Sequence, residues 1–256
     1  VIRLEHEGPV ARLLIDRAAR RNAFTLEMWE EMPRLLARAQ ELPGLRVLVL
    51  EAAEPGAFCA GADIAELLAN KDDLAWRRRN QQAINAAQFA LARFPLPTVA
   101  MIRGDAVGAG CGMAVACDIR VAADDARIGI TPAKLGLIYP LHDVKLLVDL
   151  IGPGQARRML FTGSLLDSEE ARRVGLFELR DSEFDGLIAA IVAASSHSTR
   201  QLKAFVRRIL DGQVADDAET LAIFADAFEG PDFIEGVNAF LEKRRPDFAG
   251  REGSGT

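Results

Sequence analysis

An α/β core followed by an all-helical C-terminal region is the fold that the sequence predicts. Three observations carry that expectation. Up to about residue 182, short β-branched runs alternate with stretches of helical spacing. Beyond that point every signal is helical. Finally, two loops rich in small residues each follow a β-branched run and lead into a helix. The first, Ala57-Phe58-Cys59-Ala60-Gly61-Ala62-Asp63-Ile64, comes after Val47-Leu48-Val49-Leu50. The second, Gly104-Asp105-Ala106-Val107-Gly108-Ala109-Gly110-Cys111-Gly112, comes after Thr98-Val99-Ala100-Met101-Ile102.

Taken in order, residues 10–15 read as a strand and 16–22 as a polar turn. Thr25 caps a helix that runs to about residue 41, with Pro33 as a point where it can kink. Residues 47–51 form the next strand. Residues 72–94 have helical spacing, with Leu74, Ala75, Ile84, Ala87 and Leu91 among the apolar positions, until Pro95 and Pro97 stop the helix. A buried strand at 98–102, a short helix at 109–117 and another strand at 118–123 follow. Residues 153–161 read as a helix opened by proline and closed near Gly163. Asp167-Ser168-Glu169-Glu170 has the form of a capping box leading into 171–174. Helices are expected at 184–195, 199–210, 215–228 and 231–245, ahead of a polar, loose tail at 250–256. The domain reading is a core at 1–182 and a helical region at 183–256.

Composition narrows the function. A chain of 256 residues, half of them apolar, can bury a sizeable core. Its net charge of -6 argues against general nucleic-acid binding and against an anionic membrane surface. Cys59, Cys111 and Cys117 are odd in number and lack metal-ligand spacing, so they read as buried thiols in a reducing compartment. The first residues lack a signal-peptide pattern, and no apolar run approaches the ~20 residues of a membrane span. A cytoplasmic protein without metal or redox cofactor is expected.

The two loops hold the chemistry. Small residues let main-chain N–H groups approach a ligand, and a helix N-terminus adds unpaired donors. Either loop alone reads as an ordinary strand-to-helix turn. Together they can place two donors around one developing negative oxygen, an oxyanion hole.

The pattern A-F-C-A-G-A-D-I, then G-x-x-x-G-A-G-C, then C-D-I-R-V-A-A resembles the crotonase superfamily, the enoyl-CoA hydratase/isomerase family. The likeness extends from Asp16-Arg17 and Asn22-Ala23 to the segment Glu235-Gly236-Val237-Asn238-Ala239-Phe240-Leu241-Glu242-Lys243-Arg244 near the end. It implies a spiral of ββα turns with a C-terminal helical trimerisation region, and a homotrimer or dimer of trimers. It also implies an acyl-CoA thioester as substrate, in fatty acid metabolism or related chemistry, with a thioester enolate held by the amides of Ala62 and Ala109.

The two hydratase glutamates of that family fall on Gly112 and Pro132, neither of which can move a proton. The resemblance therefore implies a lyase (decarboxylase-like) or an isomerase. The alternatives are an enoyl-CoA hydratase with relocated acid–base groups and a catalytically silent acyl-CoA-binding subunit. Tyr139, the only tyrosine, matches a pocket tyrosine of methylmalonyl-CoA decarboxylases and reads equally as a packing residue. Asp143 is near an aspartate that dienoyl-CoA isomerases place in this loop, and otherwise reads as a helix N-cap. Asp63 and Asp118 read as structural, and Arg77-Arg78-Arg79 as a solvated helix face. CoA contacts fall by resemblance on Arg20, Arg21, Ala60, Phe224 and Lys243, the last two across a subunit boundary.

Overall fold

The run Val47-Leu48-Val49-Leu50 is apolar at every position because the strand it forms is covered on both faces. In the computed structural model, which describes residues 1–248, strand β3 spans Val47–Ala52. Its Val47 and Val49 join one buried cluster, while Leu48 and Leu50 join another. Alternate residues of a strand point to opposite faces, so an uninterrupted apolar run marks a central strand between two layers. Each fully buried valine or leucine side chain contributes about 1.5–3 kcal/mol.

The large sheet has the order β1-β2-β3-β4-β6-β9. Its remaining strands are β1 (Ile2–Glu7), β2 (Val10–Ile15), β4 (Thr98–Ile102), β6 (Ile119–Ala122) and β9 (Leu179–Arg180). All neighbours pair in parallel except β1, which runs antiparallel to β2. Strand β1 was not foreseen; Arg3, Glu5 and Glu7 along this edge strand mute its apolar signal. Helices α1 (Leu26–Gln40) and α3 (Leu74–Ala92) cover one face of the sheet, and α7 (Phe184–Ala193) covers the other. A smaller sheet, β5 (Asp105–Val107), β7 (Arg127–Gly129) and β8 (Leu165–Asp167), lies beside it.

Helix α1 begins at the expected cap, with Thr25 Oγ1 accepting from Met28 N–H, and runs through Pro33 without a break. Helices α2 (Ile64–Ala69) and α4 (Ala109–Ala116) follow the two small-residue loops. Helix α6 (Ser168–Arg173) is capped by Asp167, as its sequence pattern indicates. Beyond β9 the described elements are helical: α7, α8 (Ser196–Leu210), α9 (Ala218–Asp226) and α10 (Pro231–Leu241). The tail at 250–256 lies outside the described residues.

One expectation needs correction. The helix read at 153–161 is only the second half of α5, Leu141–Thr162. Gly152, at φ 72° and ψ 162°, breaks its regular backbone and Pro153 restarts it. Asp143 is therefore not an N-cap. Pro140 holds that position, and Asp143 stands in the first turn, where the helix dipole favours an acid. Asp118 is structural: its Oδ2 accepts from Thr98 N–H at 2.7 Å and from Lys203 Nζ at 2.6 Å.

Candidate active site

The two small-residue loops meet, and backbone contacts fix how. Cys59 bridges to Ala106 of β5, with Val107 N–H donating to Cys59 O at 2.8 Å. A Cβ placed on Gly110 would stand 2.4 Å from Cys59 O, so only glycine lets α4 approach the first loop this closely. A Cβ on Gly61 would lie 4.0 Å from Ala109 N, which sets the scale of the approach.

Both expected donors are available. Phe24 N–H donates to Gly61 O and Asp63 N–H donates to Phe24 O, each at 2.8 Å. These bonds use the groups on either side of Ala62 and turn its own N–H to the opposite side. Gly108, at φ 53°, spends its N–H on Gly129 O at 2.8 Å, and Ala109 opens α4. The first N–H groups of a helix have no intrahelical acceptor. Among the described residues, neither Ala62 N–H nor Ala109 N–H donates to a backbone or side-chain acceptor.

Both alanines line one cleft of about 440 Å³, together with Ala60, Gln88, Tyr139 and Asp143. Pro132 is on its wall as well. The first loop is held in place by Asp63, which caps α2 and pairs with Arg17 at 2.8 Å. That guanidinium is the chief cause holding the Asp63 carboxyl below its ordinary range. Asn22 ties the same region together, its side chain accepting from Arg17 N–H and donating to Ala57 O, each at 2.8 Å.

The inner end of the cleft is polar and centres on Gly112. A Cβ there would stand 2.5 Å from Gln88 Nε2, 2.7 Å from Tyr139 Oη and 3.2 Å from Asp143 Oδ2. Three functional groups, from α3, α5 and the segment just before α5, thus fill the space that a side chain at 112 would need.

Asp143 is only 2% exposed, and His142 Nδ1 lies 3.3 Å from its Oδ1. Burial pushes its carboxyl up to about 6, with His142 opposing the shift. Tyr139 donates its hydroxyl to Gly108 O at 2.9 Å and so braces the residue that precedes Ala109. Burial raises the phenol well above its ordinary range. The thiols are buried, and desolvation pushes Cys59 and Cys117 up to about 12 and raises Cys111 too, which disfavours the thiolate.

The expected CoA contacts divide. Ala60 is in the cleft, and its N–H donates to Arg21 O at 2.9 Å. The Arg21 guanidinium pairs instead with Asp105 at 2.6 Å. Neither Arg20, Arg21, Phe224 nor Lys243 lines the cleft, and Phe224 forms part of a separate hollow with Arg46 and His197. Arg77 sits on an exposed face, as expected, but also borders the cleft. Gln88 was missed, although it falls between Ile84, Ala87 and Leu91 on the apolar stripe of α3. A polar residue on a buried stripe is the signal that marks it.

The family model described as Enoyl-CoA hydratase/isomerase matches residues 5–251. A Thermus thermophilus protein, provisionally named enoyl-CoA hydratase, is 32% identical over 251 residues, 94% of this chain and 98% of that protein. Crotonyl-CoA hydratase of Syntrophomonas wolfei is 30% identical over 256 residues, 96% of each chain. A Hyphomonas neptunium structure, provisionally placed in the same family, superposes with a TM-score of 0.92 at 34% identity, covering 96% of this chain and 97% of that one. Relatives from mouse and human carry mitochondrial names, and no described helix here is long and apolar enough to cross a membrane. By sequence, fold and loop geometry, the chain belongs to the enoyl-CoA hydratase/isomerase family, whose enzymes act on acyl-CoA, and has the crotonase fold.

Proposed function

We propose that this protein is an acyl-CoA isomerase that moves a proton along an enoyl thioester through an enolate. The observation that carries the reading is one buried carboxylate, Asp143, in the same cleft as the two unpaired amides. As a base, the Asp143 carboxylate takes a proton from C2 of a 3-enoyl thioester, the carbon between the thioester and the double bond. The electron pair left behind delocalises onto the thioester oxygen, where Ala62 N–H and Ala109 N–H stabilise it. The same carboxyl then returns the proton at the other end of the conjugated system. One acid–base group suffices for this, whereas adding water asks for a second group to position it.

A decarboxylase reading fits less well. An anionic Asp143 faces the space that a substrate carboxylate would enter, and among the described residues the cations on the cleft wall, Lys71 and Arg77, are exposed. Hydration is the second reading, favoured by the Syntrophomonas relative's name and by the Gln88 amide, which can hold a water near Asp143.

The test is a panel of 3-enoyl-, 2-enoyl- and malonyl-type CoA thioesters. Interconversion of 3-enoyl and 2-enoyl forms is expected. Faster loss of enoyl absorbance from crotonyl-CoA, or carbon dioxide release, would overturn it. Tyr139 is a positioning residue: Tyr139→Phe is expected to keep turnover within about tenfold and to lower stability by ~1 kcal/mol, read by chemical denaturation. A loss as deep as that of an Asp143 variant would give the phenol a catalytic role instead.

We further propose a homotrimer, or a dimer of trimers, working in the cytoplasm. Its support is the apolar surface left bare on the C-terminal helices, Leu202, Val206 and Ile209 on α8 and Phe240 and Leu241 on α10. Phe224 and Lys243 then reach CoA only from a neighbouring copy. Sedimentation of the full chain is expected to give three or six copies, and a monomer at micromolar concentration would contradict it. The three free thiols support a reducing compartment.

A further inference from the structure

We propose that Gln88 is a specificity-determining residue, its carboxamide binding a neutral hydroxyl on the acyl chain of the thioester; this rests on the acyl-CoA reading above. Gln88 is 1% exposed, and neither Nε2 nor Oε1 has a hydrogen-bond partner among the described residues. Both atoms are desolvated, so a group that supplies no hydrogen bond leaves a donor and an acceptor unmet. The residue borders the same cleft as Ala62 and Ala109, and its Nε2 lies 2.5 Å from the point where a Cβ on Gly112 would stand. The carboxamide therefore takes the room that glycine leaves open at the inner end of the acyl path.

The chemistry of the occupant follows from the neighbours. A hydroxyl both donates and accepts, and so satisfies a carboxamide that offers one donor face and one acceptor face. A carboxylate is disfavoured because Asp143 is adjacent and Lys71 and Arg77 stand at the exposed rim. A plain hydrocarbon chain buries against the amide without satisfying it. Polar sites discriminate most strongly against analogues that lack the matching group. Tyr139 gives its hydrogen to Gly108 O and makes no hydrogen bond with the carboxamide.

The test is calorimetric titration of the full-length protein with three saturated ligands: butyryl-CoA, 3-hydroxybutyryl-CoA and 4-hydroxybutyryl-CoA. At least one hydroxylated ligand is expected to bind on the order of tenfold or more tighter than butyryl-CoA. In Gln88→Leu that preference is expected to vanish, with butyryl-CoA binding as well as before or better and Tm rising. Gln88→Met, unbranched like glutamine, is the companion variant should leucine disturb packing. A wild-type protein with no preference would overturn the role of Gln88, and so would a preference that survives both substitutions. Failure of all three ligands to bind would instead overturn the acyl-CoA reading beneath it.

Discussion

Replacing Asp143 with Asn is expected to lower kcat by on the order of 10²–10⁴-fold, the usual contribution of a positioned acid–base group, and at the same time to stabilise the fold. The two effects share one cause. A carboxyl has an ordinary pKa of about 3.9, and burial pushes that of Asp143 up to about 6 in the folded chain. The folded state therefore holds the proton more tightly than the unfolded state does. Below pH ~4 both states are protonated and Asp143 costs nothing. Its destabilising contribution grows between pH ~4 and ~6 and is constant above that range, at roughly 2–3 kcal/mol. Asparagine removes the charge, so Tm at pH 7 should rise by roughly 5 °C, with no gain at pH 4. Wild-type kcat/KM should climb with pH through a midpoint near 6, because the base must be ionised to accept a proton. Turnover and Tm measured across pH for both proteins check this. An Asp143→Asn enzyme that remains active would remove the proposed base.

The second large effect is expected from Gly110→Ala. One methyl group at this position meets Cys59 O at 2.4 Å and Cys59 Cβ at 2.8 Å. Both contacts are with backbone or with an atom fixed to it, so the relief must come from α4 moving away from the first loop. That motion carries Ala109 N–H off its mark. Loss of one oxyanion donor costs about 10²–10³-fold in kcat, and overpacking costs about 1–3 kcal/mol of stability. Gly186→Ala is the control. It makes the same chemical change within α7, where a Cβ meets nothing within 4 Å, so it should leave turnover unchanged and add up to about 1 kcal/mol of stability. Steady-state kinetics and denaturation of the pair separate loop geometry from helix propensity.

Much of this site is legible in the sequence. The β-branched run, the small residues and the following helix are local features, and local features survive in sequence. The family pattern then assigned roles to Ala62 and Ala109. Asp63 as a cap follows from short-range chemistry and acts that way; Asp118 is structural as read, but its partners Thr98 and Lys203 are distant in sequence. The first half of α5 is obscured because Pro140 and Gly152 punctuate it, so the stretch ahead of Pro153 reads as a loop or as a helix start capped by Asp143. Gln88 was hidden for a different reason. Its importance comes from α3 and α4 packing across the cleft, and no local pattern links position 88 with position 112. Tyr139 is singled out in the sequence, but its bond to Gly108 O, across 31 residues, is not readable there.

A crystal structure of the protein with butyryl-CoA bound tests the central claim most directly. The thioester oxygen is expected about 2.7–3.1 Å from the nitrogens of both Ala62 and Ala109, with the acyl chain directed toward Asp143 and Gln88. An oxygen bonded to neither amide, or an acyl chain lodged in the hollow beside Phe224, would contradict it.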